Sequence, residues 1–331
     1  TITQMRIISG IQATGTCHLG NYLGALKIWA EDQHQHDALF FVADLHSLTI
    51  HADDRDLDRL TIELVNSLLA VGLDPQVCTL FVQSQVEQHT QLGWLMECTI
   101  SMGELQRMTQ FKDKSVGNDS ISAGLFTYPA LQAADILLYD VDRVPVGDDQ
   151  RQHLELTRDA AIRFNHRVGK EVLIVPEASI PRHGARVRDL QDPSKKMSKS
   201  ATTDAGVVYL TDEPDAIIKK FKRAVTDTDN AVAFDPDNKP GVSNLLTILS
   251  ACGDGTDPAK LADQYSQYGA LKADTADAVI ARLGPIRARL QELSADDSYT
   301  RQMLNQGADK ARTIASATLA RAKEAVGLYR P

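Results

Sequence analysis

Paired cysteines, long apolar runs and an excess of positive charge are missing from this chain and aromatic residues are few, and each shortage removes a class of protein. The 4 cysteines (Cys17, Cys78, Cys98, Cys252) are scattered with no C-x-x-C pair, so they signal neither a zinc site nor a disulfide framework. A reducing cytoplasm is the simplest home for them. Aromatic content of 5% argues against a binding surface built on tyrosine and tryptophan. No stretch approaches the roughly 18 apolar residues of a membrane span. The start, Thr1-Ile2-Thr3-Gln4-Met5, has no basic residue leading into an apolar run. The expectation is a protein neither exported nor embedded in a membrane. A formal charge of −9 argues against coating nucleic acid through a global field, but leaves a local basic stripe free to meet a phosphate backbone.

With 331 residues, 43% hydrophobic and 24% charged, the chain suits a large domain with a smaller one attached. Its first half alternates two periodicities. Arg6-Ile7-Ile8, Leu39-Phe40-Phe41-Val42, Thr79-Leu80-Phe81-Val82 and Val172-Leu173-Ile174-Val175 read as buried strands. Between them Leu57, Leu60, Leu64, Leu68 and Val71, and later Leu154, Thr157, Ala161 and Phe164, recur at helical spacing. Strand and helix in alternation predict an α/β fold, a Rossmann-like, doubly wound parallel sheet. After Ile180 a Gly-, Asp-, Pro-, Ser- and Lys-rich loop runs to about Gly206 without apolar periodicity. Loops of that length in compact proteins are usually functional. From Asp215 onward the pattern is helical, including Leu283, Ile286, Leu290 and Leu293, then Ala311, Ile314, Ala315, Thr318, Leu319, Ala322 and Val326. The second domain is expected to be all-helical.

Two segments carry chemistry. Ser9 to Asn21 follows the first strand and precedes the helix through Leu23, Leu26 and Trp29, a position that offers free backbone N–H groups and a helix dipole to an anion. Gly10, Gly15 and Gly20 let the backbone turn and a flat base approach, while His18 and Asn21 add side-chain donors. The pattern is not the dinucleotide G-x-G-x-x-G, and alone it reads first as a glycine-containing βα turn with a solvent-facing histidine. Far downstream, Pro193-Ser194-Lys195-Lys196-Met197-Ser198-Lys199-Ser200 interleaves lysines with hydroxyls. Alone that reads as solvated surface; paired with a nucleotide loop it supplies mobile charges able to follow a departing pyrophosphate.

Together, His18-Leu19-Gly20-Asn21 and Lys196 to Ser200 resemble the two signature motifs of class I aminoacyl-tRNA synthetases. Gly103 to Lys114, Ser122 to Pro129, Val144 to His153 and Ala224 to Asp229 are similar to bacterial tryptophanyl-tRNA synthetases, and the likeness covers nearly the whole chain. The resemblance implies attack of an amino acid carboxylate on the α-phosphorus of ATP, with Mg²⁺ held mainly through the nucleotide, then transfer of the aminoacyl group to tRNA. No protein nucleophile is needed; alignment and electrostatics do the catalysis. Lys114, Lys196 and Lys199 are the expected stabilisers of leaving charge. Gln12, Ala13, Thr14, His18, Gly20 and Asn21 are expected on the ATP side with Met197, Ser198 and Ser200, Gly147, Asp148 and Asp149 near the ribose, and Val187 near the adenine.

Pro129 to Tyr139 reads as a helix apolar almost all round, with Pro129 in its first turn and Asp135 out of place. A carboxylate there needs a partner, and an indole N–H is a donor that a hydrocarbon lacks. A buried ion pair or a helix cap would serve equally. By resemblance Asp135 accepts the indole hydrogen bond, Tyr128 and Gln150 lie near the α-amino end, His46 is close, and Ile8, Val144 and Val146 form apolar walls. Ile8 stands where that family often has an aromatic residue, and Gln132 where methionine is common. Gln132 with Asp135 also looks like the phenol-binding pair of some tyrosyl-tRNA synthetases, so tyrosine remains an alternative substrate.

The resemblance implies a catalytic domain over 1–205, a helical anticodon-binding domain over 206–300, and a C-terminal helix over 301–331 that packs back near the catalytic domain. It also implies tRNA(Trp), L-tryptophan and ATP as partners, a homodimer, and no membrane. Lys219-Lys220-Phe221-Lys222-Arg223 is the expected phosphate-backbone contact, although a solvated helix face would look the same. The rivals are a nucleotidyltransferase working without tRNA and a non-catalytic RNA-binding paralogue. The intact glycines and lysines of both loops favour the enzyme.

Overall fold

The structure is a computed structural model that describes residues 5–49, 55–109, 111, 121–145, 150–179, 184–199 and 203–329. In chain order the first half runs β1 (Arg6–Ile11), α1 (Leu19–Asn21), a π-helical turn (Tyr22–Leu26) and α2 (Lys27–Asp32). It continues through β2 (Asp37–Val42), α3 (Asp44–Ser47), α4 (Leu57–Ala70), β3 (Thr79–Val82), α5 (Gln88–Glu97) and α6 (Met102–Gln106). Then come α7 (Ala123–Leu137), β4 (Arg143–Pro145), α8 (Arg151–Val168) and β5 (Glu177–Ser179). The remainder is helical: α9 (Pro214–Lys222), α10 (Pro240–Cys252), α11 (Pro258–Ala262), α12 (Tyr268–Ala295) and α13 (Ser298–Ala325).

β1, β2 and β3 pair in parallel in that order, β4 and β5 pair in parallel, and β4 lies beside β1. The resulting sequence 3-2-1-4-5 is that of a doubly wound sheet, with its topological switch between β1 and β4. Strand alternation divides the core in two. Ile7, Phe40, Val42, Leu80 and Val82 face one cluster together with Leu64 and Leu68 of α4, while Ile8, Leu39, Phe41 and Phe81 face the other with Ala130 and Ala134 of α7. The helical half does not stand apart. Leu245 and Leu246 of α10 and Val279 and Leu283 of α12 extend the first cluster, and Ala308, Ala311 and Ala315 of α13 belong to the second.

α13 lies directly on β3. A Cβ at Gly307 would stand 1.8 Å from the Leu80 carbonyl oxygen, so the helix approaches the strand backbone closely only because that residue is glycine. Covering this edge removes an open template for strand pairing. Gly307→Ala should therefore lower stability by about 2–4 kcal/mol, an overpacking cost with no flexible side chain to yield, measured by urea unfolding.

Two elements differ from expectation. Val172 to Val175 is not a strand: Asn165 Oδ1 accepts the Val172 and Leu173 N–H groups at 2.9 Å, and its amide donates to the Leu173 carbonyl at 2.7 Å. The segment is thus held by a side chain, its valine and leucine buried, and the ladder forms later, at β5. The helix carrying Asp135 begins not at Pro129 but at Ala123, where Ser122 Oγ caps the Leu125 N–H at 3.2 Å. Pro129 is consequently inside α7.

Candidate active site

The loop after β1 is fixed by its own side chains. His18 Nδ1 accepts the Asn21 N–H at 3.2 Å and Asn21 Oδ1 accepts the His18 N–H at 3.1 Å, a reciprocal cap at the start of α1. Asn21 is thereby a structural partner of His18. An accepting Nδ1 leaves the proton of a neutral ring on Nε2, the only donor the imidazole can offer a ligand. Burial, with Lys199 and Lys196 adding repulsion, pushes the His18 pKa down to about 4. With its folded pKa depressed, this ring contributes nothing above the unfolded value of about 6.5 and lowers stability as pH falls towards 4. Between pH 8 and 5, NMR of ring-labelled protein should find the His18 resonances unmoved, whereas titration near pH 6.5 would contradict the buried, neutral ring.

The second lysine-bearing motif packs onto the first. A Cβ on Gly20 would stand 3.1 Å from the His18 ring and 3.3 Å from Met197 Cβ, so Gly20 lets the two segments touch there. Leu19 N–H donates to the Val208 carbonyl at 2.7 Å and Leu210 N–H to the Cys17 carbonyl at 3.0 Å, aligning the residues after the lysine loop along the first motif. The loop is anchored at its base. Asp189, buried, accepts the Gln191 and Asp192 N–H groups at 2.7 and 3.0 Å, and Asn244 of α10 holds both the N–H and the carbonyl of Arg188 at 2.8 and 3.0 Å. Arg188 and Lys196 bridge, the Met197 N–H donates to the Val187 carbonyl, and Met197 is buried. Lys196 remains exposed. Lys199, half-buried, donates from Nζ to the Thr14 carbonyl at 2.5 Å, and burial lowers its pKa.

Near Gly24 the helix widens into a π turn, in which the Lys27 N–H reaches back to the Tyr22 carbonyl. The Leu23 carbonyl is left to accept the Ala185 N–H at 3.0 Å, and Gly184 fits only without a side chain, its Cβ position lying 2.2 Å from that oxygen.

A cavity of about 620 Å³ opens beside these segments, a size suited to a small ligand. Ile8, Gln12, His46, Tyr128, Gln132, Asp135, Val144 and Gln150 line it. These residues come from β1, the loop after it, α3, α7, β4 and the start of α8, and the sequence-level expectations for them converge here. Ala13, Thr14, His18, Gly20, Asn21, Val187 and Lys196 to Lys199 do not line it; the Ala13 and Val187 side chains are buried in the first core cluster. Gln132 donates to Gln150 at 3.1 Å, and Tyr128 Oη pairs with His153 Nε2 at 2.7 Å, with burial pushing the phenol up to about 12. Lys114, Val146, Gly147, Asp148, Asp149 and Ser200 lie outside the described residues.

Asp135 is 2% exposed and accepts three hydrogen bonds, from His46 Nε2 at 2.7 Å, His89 Nδ1 at 2.6 Å and Gln83 Nε2 at 2.8 Å. Burial alone would raise its pKa; the two imidazoles and their hydrogen bonds outweigh that and hold it well below the usual carboxylate range. Of these three partners the resemblance implies His46 alone; Gln83 and His89 are new. Gln83 carried a signal, a polar residue ending an apolar strand, where α/β folds gather ligand groups.

The basic run Lys219 to Arg223 is not a continuous phosphate track. Lys220 is buried, paired with Asp212 at 2.7 Å and lying over the Tyr209 ring, and Phe221 is in the core. α9 is amphipathic, so only Lys219, Lys222 and Arg223 of the run reach solvent.

Such a site, a capped glycine loop facing a lysine loop at the switch point of a parallel sheet, has the parts of a class I nucleotide-activating fold. The family model described as "tRNA synthetases class I (W and Y)" matches residues 2–284. Tryptophan--tRNA ligase 1 of Streptomyces coelicolor is 51% identical over 98% of this chain and 98% of its own length, and tryptophan--tRNA ligase of Bacillus subtilis is 47% identical over 98% of each. Among solved structures, tryptophanyl-tRNA synthetase of Mycoplasma pneumoniae superposes with a TM-score of 0.88 at 40% identity, covering 99% of both chains. That of Campylobacter jejuni, complexed with ADP and tryptophan, gives 0.84 at 33%, covering 98% of this chain and all of that one. The chain belongs to the class I tRNA synthetases, in the group that comprises the W and Y enzymes.

Proposed function

We propose that the chain is a tryptophan–tRNA ligase, which activates L-tryptophan with ATP and transfers the tryptophanyl group to tRNA(Trp). The observation that carries the choice of amino acid is Asp135: ionised, buried, lining the cavity, and with three of about four carboxylate acceptor positions taken, it offers one to a donor. An indole N–H suits it. Gln132, the residue suggestive of a phenol site, donates instead to Gln150.

In the first step a tryptophan carboxylate oxygen bonds to the α-phosphorus as the bond to pyrophosphate breaks. Negative charge gathers on the leaving group, so groups that meet it there accelerate the step. Lys196 and Lys199 are suited to this role, and the neutral His18 Nε2–H offers a hydrogen bond on the ATP side. The side chains of this loop supply cations and hydroxyls, the complement of phosphate. Mg²⁺ fits the site as an ion carried by the nucleotide, supplying further charge neutralisation when bound.

The helical half serves as the tRNA-reading part, with Lys219, Lys222 and Arg223 as its exposed cations. A second copy of the chain would cover Trp94 and Met102, which are 64% and 65% exposed at the adjacent elements α5 and α6. Sedimentation should give a dimer, and Trp94→Asp should return it to monomer. The overall reading is tested by charging: labelled tryptophan should become acid-precipitable on a tRNA(Trp) transcript and not on a tRNA(Tyr) transcript. Absence of charging on both would refute it.

A further inference from the structure

The two oxygens of Asp135 are treated differently. Oδ1 is held by Gln83 and His89, neither of which lines the cavity; Oδ2 is held by His46, which does. Behind Oδ1 the chain of contacts continues, because His89 Nε2 lies 2.7 Å from Tyr139 Oη. His89 and Tyr139 are both 0% exposed. The His89 ring sits among Phe41, Phe81 and Tyr139, with centroids at 5.9, 5.9 and 5.5 Å. Facing a carboxylate, His89 Nδ1 donates, and its other ring nitrogen is paired with the Tyr139 hydroxyl. Gln83 repeats the theme. Its N–H points at Oδ1 while its own Oε1 is buried with no hydrogen-bond partner among the described residues, an orientation that sacrifices one polar atom to serve the carboxylate.

We infer that Tyr139, His89 and Gln83 form a positioning relay that saturates Asp135 Oδ1, so that the one remaining acceptor position, on Oδ2, is aimed at the substrate's ring N–H. None of the three touches the substrate. They act through Asp135, fixing its rotamer and keeping it charged, so their contribution is to discrimination between a ring that has an N–H and one that lacks it. The inference rests on the tryptophan reading above. A merely structural buried network would instead alter stability or general activity, whatever the ring.

The test is ATP–pyrophosphate exchange with tryptophan and with its benzothiophene isostere, in which sulfur replaces the ring N–H, comparing the ratio of kcat/KM values. His89→Leu should reduce the wild-type preference for tryptophan at least about tenfold, since the acceptor is no longer aimed. KM for ATP should stay unchanged. His89→Asn, whose amide nitrogen stands near the Nδ1 position, should restore the ratio to within about threefold. Equal ratios for Leu, Asn and wild type, or equal losses in both variants, would overturn the relay. If His89→Leu does not fold, Tyr139→Phe decides: it removes one hydroxyl, and should lower the ratio about threefold, while an unaltered ratio refutes the proposal. Wild-type protein that shows no tryptophan-dependent exchange defeats the functional reading itself. Wild-type exchange with unaltered ratios in the variants defeats the relay alone.

Discussion

Lys199→Ala should slow ATP–pyrophosphate exchange about 10²–10³-fold in kcat, the typical loss when one preorganised charge or donor is removed from a transition state. The KM for tryptophan should move by less than about threefold, since an interaction made only in the transition state leaves ground-state binding alone. The reason for this split is the lysine's position. Its Nζ reaches across to the Thr14 carbonyl, closing the lysine loop on the glycine loop at a point remote from Asp135 in the sequence and among the ATP-side residues. Burial disfavours its charge in this arrangement, and the phosphates of ATP would restore that charge. Exchange kinetics alongside equilibrium binding of tryptophan measure both quantities. Equal losses in kcat and in tryptophan affinity would indicate a packing role instead.

Asp135→Ala should have the other large effect, and on two observables. Selection against a ring lacking N–H should collapse by about 10³-fold or more, because a site built around a polar contact rejects its absence strongly. Stability should fall by about 3–5 kcal/mol, since the substitution strands His46, His89 and Gln83 around a buried void. Exchange with tryptophan and its sulfur isostere reads the first, and urea unfolding the second. An alanine variant that keeps tryptophan selectivity would remove Asp135 from the recognition site, whatever it did to stability.

The parts of this molecule that were legible in its sequence are those set by local periodicity. Ile7 and Ile8 lie on opposite faces of β1 because strand side chains alternate, and the chain's apolar runs at β1, β2 and β3 follow directly. The helical spacing of Leu283, Ile286, Leu290 and Leu293 places all four in the core for the same kind of reason. The parts that were not legible depend on partners far along the chain. His89 and Gln83 meet Asp135 across 46 and 52 residues, and nothing in a local pattern announces that. Lys220 looked like one of several free cations until Asp212 and the Tyr209 ring claimed it. Val172 and Leu173 had strand composition, yet Asn165 took their backbone groups before a ladder could.

The candidate site divides along the same line. The ordered pair of loops was readable, since glycine, histidine and lysine at those spacings suit phosphate chemistry. How the loops are held was not. The reciprocal cap of His18 and Asn21 explains why a short motif can keep one conformation, and the grip of Asn244 on Arg188 explains why the lysine loop is attached to the helical half as well as to the sheet.

Amino-acid-dependent ATP–pyrophosphate exchange by the purified chain, with tryptophan and tyrosine supplied separately, decides which amino acid is activated. Tryptophan should support exchange, with tyrosine slower by about 10³-fold or more, the scale of rejection reached by a site with an aimed polar contact. Exchange driven by tyrosine, or none with tryptophan, would contradict it.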